Sequence, residues 1–162
     1  YLEFQSTAPF KFIVTSVPFS LGEASQDTWS NYQTEREIIL GELESRGISN
    51  VVFLSGDRHW SGAFRIISPG GYVYYDFLPS PTGAGQRDVP ANIAHPGEEE
   101  ISWTSGDYKI FGDFQIDLSG PTPELRVAFV DSAGTEQCVI TIGNDETGVM
   151  AAGAPPLATC AP

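Results

Sequence analysis

The segment Asn50–Gly62, NVVFLSGDRHWSG, joins an unbroken apolar run to a polar turn. Four consecutive apolar residues, 51 to 54, indicate a strand that is covered on both faces, as in a layered α/β fold. Ligands of such sheets gather where strands end, so the residues after the run are the first place to look for a functional site. Asp57 and His59 follow it, and a carboxylate and an imidazole are common metal ligands.

The first part of the chain predicts a strand, a helix and a second strand, with parallel pairing of the two strands. The first segment is rich in β-branched and aromatic residues, and the last is the apolar run. Thr34 and Glu37 form a capping-box pattern for the helix, and Gly47 stands where a left-handed C-cap belongs. The predicted elements are strand 10–17, helix 35–46 and strand 50–55.

Beyond residue 62 the pattern changes to strand-like alternation without a helical period. Turns rich in Gly, Pro and Ser, at 69–71 and 132–135, predict hairpins. The stretch Pro79–Thr104, dense in Pro and Gly, is predicted to be a long loop that is either functional or mobile. From Gly143 onward the Gly/Ala/Pro composition predicts an extended, weakly packed tail. The predicted strands are 63–67, 72–78, 108–118, 124–131 and 136–142.

The chain is strongly acidic, with 21 acidic against 8 basic residues and a formal charge of −13. This balance argues against nucleic acid or an anionic membrane surface as a partner. No run of about 18 apolar residues occurs, so a membrane span is not expected. The chain begins at Tyr1 and not at Met, without a signal-peptide pattern, so we expect a processed or truncated product.

Two cysteines, Cys138 and Cys160, permit a single intramolecular pairing. A disulfide between them would fix the tail to a predicted strand and would need an oxidising compartment. Two free thiols are the alternative.

Three segments then support one another in order and spacing. They are Phe10–Phe19 (FKFIVTSVPF), Asp27–Tyr32 (DTWSNY) with Glu35 and Arg36 close behind, and Asn50–His59 (NVVFLSGDRH). Together they resemble the C-terminal half of the PhoD-like alkaline phosphatase and phosphodiesterase family of metallophosphoesterases. The likeness is specific over 10–62, looser to about residue 142, and absent from the tail.

The resemblance implies an α/β fold, the four-layer α/β/β/α sandwich of metallophosphoesterases. Residues 1–142 would supply its second half, a strand-helix-strand unit followed by mostly antiparallel strands. Residues 143–162 would form the separate tail, tethered if the disulfide forms.

The resemblance also implies the site. Asp57 and His59 look like catalytic residues and ligands of a multinuclear metal centre, for which Ca²⁺ and Fe³⁺ are the expected ions. The expected substrate-binding residues are Trp29, Tyr32, Arg36 and Arg58. Alternatively, the two aromatic residues are packing anchors and the helical arginine pairs with an acid. His95, on the long loop, is an alternative ligand or a solvent-exposed residue.

The implied function is metal-dependent hydrolysis of phosphate mono- or diesters, in a secreted, cell-surface or periplasmic protein. One Asp and one His cannot hold a catalytic cluster alone, and the family's other ligands belong to an N-terminal half that this sequence lacks. We therefore expect that half as a partner, and an inactive chain without it. A non-catalytic structural, assembly or binding subunit derived from the family is the alternative. A carbohydrate- or protein-binding β-sandwich is a third, which the strand-helix-strand opening disfavours.

Overall fold

A computed structural model describes residues 6–20, 27–91, 93, 99–144, 148–149 and 157–160. The structure is mostly β-sheet with few helices. The elements are β1 (Lys11–Val14), a 3₁₀ helix (Trp29–Asn31), α1 (Gln33–Ser45), β2 (Val51–Leu54), β3 (Ser61–Ile67), β4 (Tyr72–Leu78), β5 (Glu99–Ser105), β6 (Ile110–Asp117), β7 (Glu124–Asp131), β8 (Glu136–Gly143), β9 (Gly148–Val149) and β10 (Leu157–Cys160). None of the described helices has the length and apolar character needed to cross a bilayer.

The larger sheet has the strand order β1-β2-β4-β3-β5, and β9 pairs with β4. β1 pairs with β2 in parallel, with Lys11 opposite Val51 and Val14 opposite Leu54, which confirms the predicted strand-helix-strand unit. β2 also runs parallel to β4, while β3 pairs antiparallel with both β4 and β5. β1 and β2 are parallel and end in register. The segments that follow them therefore begin at the same end of the sheet, the carboxyl end of these parallel strands.

The smaller sheet is antiparallel, with the order β10-β8-β7-β6. The larger sheet lies between it and α1, so the described residues form three layers. Apolar side chains fill both interfaces between these layers. The core between the sheets includes Val52, Tyr75, Phe77, Leu125, Phe129 and Ile140. The core under α1 includes Phe19, Leu40, Leu43, Val51, Phe53 and Tyr74.

The two ends of α1 differ in how well the sequence predicted them. The prediction of a capping box at Thr34 and Glu37 is wrong. The helix begins one residue before Thr34, and its N-cap residue, Tyr32, makes no side-chain capping hydrogen bond. The C-cap is confirmed. Gly47 has φ +63°, and the N–H of Ile48 donates to the Leu43 carbonyl oxygen over 2.8 Å, which closes the helix end as in a Schellman motif.

Two predicted irregular regions contain strands. β5 lies at the end of the predicted loop Pro79–Thr104 and pairs with β3. β9 and β10 lie in the predicted tail, which is therefore not wholly irregular. The predicted disulfide is confirmed, since Cys138 and Cys160 are bonded and occupy opposite positions on β8 and β10. Both missed segments are fixed by partners that are distant in sequence, which a local pattern does not reveal.

Candidate functional site

The Gly-Asp-Arg-His segment follows β2 and lies at the carboxyl end of the parallel strands of the larger sheet. Asp57 has φ +62°, in the left-handed region that residues other than glycine seldom adopt, although Asp tolerates it better than most. Its side chain is exposed, whereas Arg58 and His59 are half-buried. Such a backbone conformation persists only where the surrounding structure holds the chain in place.

The segment 79–91 holds the far end of this turn. Ser80 Oγ donates a hydrogen bond to the carbonyl oxygen of Arg58. The backbone N–H of Arg87 donates to the carbonyl oxygen of His59 over 2.8 Å. The predicted long loop is therefore packed directly against the candidate site.

An open cavity of about 180 Å³ lies between the turn and this loop. Its lining residues are Asp57, Arg58, His59, Trp60, Arg87, Asp88 and Pro90. The cavity brings together two carboxylates, one imidazole and two guanidinium groups. Arg87 and Asp88 were not singled out from the sequence, where the only signal was the length and composition of their loop. Carboxylates suit hard cations, and guanidinium groups suit phosphate oxygens.

Trp29 and Tyr32 line a second open cavity, of about 290 Å³, with residues 15–17 and Glu35. Trp29 Nε1 donates to Thr15 Oγ1 over 2.9 Å, and 55% of Tyr32 is exposed. The lining residues 15–17 belong to the segment that follows β1. The two aromatic residues do not line the cavity of Asp57 and His59.

The two predicted substrate-binding arginines lie in different surroundings. Arg36 is only 2% exposed, and its Nε donates to the carbonyl oxygen of Phe19 over 2.9 Å. Its guanidinium carbon lies 5.1 Å from the centre of the Phe19 ring. Arg58 lines the first cavity, and its Nη2 donates to the Asp27 carbonyl oxygen over 3.1 Å. A role in substrate binding stays a prediction for both.

The donors present suit a metal ion in type but not in number. Asp57 offers a carboxylate oxygen, a ligand for hard cations, and His59 an imidazole nitrogen, a ligand for transition metals. Within the described ranges, no group of three or more His, Cys, Asp or Glu could hold a metal ion. His95 lies outside the described residues. These two side chains can thus supply part of a coordination shell.

A model of the PhoD-like phosphatase family matches residues 4–119. The chain belongs to this family. A solved structure titled "Structure of PhoD" superimposes with a TM-score of 0.61 at 20% sequence identity, covering 89% of this chain and 31% of that one. This likeness supports the fold, and the chain spans about a third of that relative's length. No curated protein matched the sequence.

The family match places the site within the PhoD-like part of the chain. Asp57, His59, Arg87 and Asp88 all fall inside residues 4–119, whereas both cysteines fall outside. PhoD-like phosphatases are phosphoesterases and generally depend on metal ions.

Proposed function

We propose that this PhoD-like chain forms part of a metal-dependent hydrolase of phosphate mono- or diesters. The observation that supports the proposal is the first cavity, where Asp57 and His59 meet Arg87 at the end of a buried parallel strand. Carboxylate, imidazole and guanidinium groups are the side chains that phosphoryl-transfer sites use to hold cations and phosphate oxygens.

The side chains have distinct roles in this proposal. When bound, a multinuclear metal centre supplies Lewis-acid chemistry and an activated water. Asp57, an anionic oxygen donor, suits Ca²⁺ or Fe³⁺. His59 ligates through an imidazole nitrogen or donates a hydrogen bond to phosphate. Arg58 and Arg87, which line the same cavity, bind phosphate oxygens and orient the ester.

The remaining metal ligands come from a companion, the N-terminal half of the family's fold, as a separate chain or as further sequence of the same polypeptide. The chain's 31% coverage of the PhoD structure is consistent with this. With the companion in place the described three layers become the four-layer sandwich, and without it we expect no turnover.

An open flank of the inter-sheet core supports a companion. β1 ends the larger sheet and β6 ends the smaller one. Phe12 of β1 contacts Phe114 of β6, with ring centres 6.3 Å apart, so both side chains face the space between the sheets. The next residues on that face are exposed, Val14 by 77% and Ile116 by 45%. Companion strands added beside β1 and β6 would bury these apolar groups.

We further propose a secreted, cell-surface or periplasmic location. The support is the disulfide between Cys138 and Cys160, since such bonds persist in oxidising compartments.

A non-catalytic assembly or binding subunit remains the second candidate. The same open flank favours it, because an apolar edge can serve assembly without any chemistry.

The deciding experiment uses the natural polypeptide that contains this chain. Phosphate release from p-nitrophenyl phosphate and p-nitrophenol release from bis(p-nitrophenyl) phosphate are measured with Ca²⁺ and Fe³⁺. We expect Asp57→Asn and His59→Gln to lower kcat/KM by roughly 100-fold or more. Glu37→Gln, an exposed change on α1 that lines neither cavity, serves as the control and should retain activity.

Absence of turnover in the unsubstituted protein, or full activity in both site variants, would overturn the proposal. If turnover is absent, sedimentation velocity then tests the assembly candidate, which requires a stable oligomer or complex.

A further inference from the structure

Asp76 is a fully buried carboxylate that lines neither cavity. Its exposed fraction is 0%, and it lies in the middle of β4 between Phe53 of β2 and Phe64 of β3. Burial raises the pKa of this carboxyl to about 6, even though three hydrogen bonds and the charge of Arg36 act in the opposite direction. An apolar residue would avoid that desolvation cost, so packing alone does not account for a carboxylate here.

The Asp76 carboxylate is hydrogen-bonded to both the segment that follows β1 and the segment that follows β2. Its Oδ1 accepts a hydrogen bond from Ser55 Oγ over 2.7 Å, directly after β2. Its Oδ2 accepts the backbone N–H groups of Phe19, over 2.8 Å, and Ser20, over 3.0 Å. One side chain therefore ties β4 to both segments.

Phe19 is held from its other side as well. Its carbonyl oxygen accepts the hydrogen bond from Arg36 Nε, and its ring stacks on Phe53 with centres 3.8 Å apart. The post-β1 segment is thus fixed to α1, β2 and β4 together. Ser55 is hydrogen-bonded to a carboxylate whose other partners, Phe19 and Ser20, are buried.

We propose that Asp76 is a positioning residue for the Asp57–His59 turn and acts through Ser55. Ser55 lies two positions before Asp57, whose left-handed conformation needs a fixed approach of the chain. The Ser55 N–H also donates to the Phe77 carbonyl oxygen over 2.9 Å, so backbone and side chain are both held by β4. The functional consequence rests on the proposed function, in which the turn carries metal ligands.

The test compares ¹⁵N-labelled variants of the natural polypeptide that contains this chain. Ser55→Ala removes the hydroxyl, Ser55→Thr keeps it, and Asp76→Asn keeps the shape but loses one acceptor. Ile140→Val, a core change in the smaller sheet, is the control for a general loss of stability. The two readouts are the amide shifts of residues 56–60 and the Kd of Mn²⁺ from paramagnetic broadening at Asp57 and His59.

We expect Ser55→Ala and Asp76→Asn to shift the amides of the turn and to weaken Mn²⁺ binding by about tenfold, as for other residues that orient ligands. Ser55→Thr should restore binding, and Ile140→Val should leave both readouts unchanged. Wild-type shifts and Mn²⁺ affinity in both disruptive variants would overturn the inference. So would an equal effect of Ile140→Val.

Failure of the proposed function gives a different result. If the unsubstituted natural polypeptide binds no Mn²⁺, the proposed metal role of Asp57 and His59 loses its support. The amide shifts of the turn then decide the positioning role alone. If Asp76→Asn does not fold, Ser55→Ala and Ser55→Thr decide it.

Discussion

Asp57 combines a side chain that we propose as a metal ligand with an unfavourable backbone conformation. Its φ of +62° costs an L-residue roughly 1 kcal/mol relative to the right-handed regions. The preceding Gly56 lies against the carbonyl oxygen of Ser16, since an added Cβ would sit 3.8 Å from that atom. The turn is therefore shaped by the neighbouring strand ends, and the local sequence alone does not impose it.

Asp76 makes stability depend on pH. The folded-state pKa of about 6 lies above the ordinary 3.8, because burial disfavours the charged form. The folded state thus binds this proton more tightly than the unfolded state does. The contribution of Asp76 to the free energy of unfolding is fully present below about pH 4 and is lost as pH rises through about 6, by roughly 3 kcal/mol.

Urea unfolding of the wild type and Asp76→Asn between pH 4 and 7 checks this expectation. The asparagine cannot ionise, so the difference in unfolding free energy should move in favour of the variant as pH rises. A difference that stays constant over this range would contradict it.

At the scale of elements, local pattern predicted the strands that carry their own signal. The bounds of β4 and β7 agree with the predicted 72–78 and 124–131. β5 and β10 were missed, because one begins with consecutive acidic residues and the other is four residues long in a Gly/Ala/Pro context. Their pairing with β3 and β8 is a tertiary effect that no local window contains.

The candidate site likewise contains residues that the local sequence predicts and residues that it does not. Asp57 and His59 could be predicted because an apolar strand and a motif mark them. Arg87 and Asp88 could not, since a hydrogen bond from a distant loop to the His59 carbonyl places them. Asp76 was missed because the sequence shows only one acid in an apolar strand, and its partners lie 21 to 57 residues away.

The loop that carries Arg87 depends on a glycine after β5. A Cβ at Gly106 would collide with the carbonyl oxygen of Arg87 and lie 3.2 Å from the Cα of Asp88. Since both contacts are backbone, Gly106→Ala should displace this segment and lower the free energy of unfolding by about 1–3 kcal/mol.

Gly83→Ala is the matched control, because an added Cβ there meets nothing within 4 Å. Amide shifts of residues 86–88 and urea unfolding provide the measurements. Equal behaviour of the two variants would show that the close approach at Gly106 does not hold the loop.

Gly41, within α1, and Gly47, just after it, should respond to alanine with opposite signs. Gly47 has φ +63° and open space around it, so Gly47→Ala should destabilise the protein by about 1 kcal/mol through the backbone alone. Gly41 is exposed within the helix, also with nothing within 4 Å, so Gly41→Ala should stabilise by about 0.5–1 kcal/mol. Urea midpoints of the two variants measure both effects, and a shared sign would refute the assignment of Gly47 as the C-cap.

At the scale of the whole molecule, the two sides of the core between the sheets differ: one exposes apolar side chains, and the other carries the disulfide. One flank, at β1 and β6, leaves Val14 and Ile116 exposed. At the other end of the smaller sheet, β10 covers β8, and the Cys138–Cys160 disulfide crosslinks the pair. The disulfide thus fixes the edge strand β10 to β8, whereas the flank at β1 and β6 is where we infer a companion.

The disulfide should stabilise the pairing of β10 with β8 chiefly by restricting the unfolded chain. Its cysteines are 22 residues apart, and closing a loop of that length is worth about 3 kcal/mol in the chain-entropy description. Reduction should therefore lower the free energy of unfolding by about that amount, measured by urea unfolding with and without dithiothreitol. The Cys138→Ser/Cys160→Ser variant should match the reduced wild type and should not respond to reductant. If dithiothreitol leaves the wild-type urea midpoint unchanged while mass spectrometry shows the bond reduced, β10 is held by its pairing with β8 and the crosslink adds nothing.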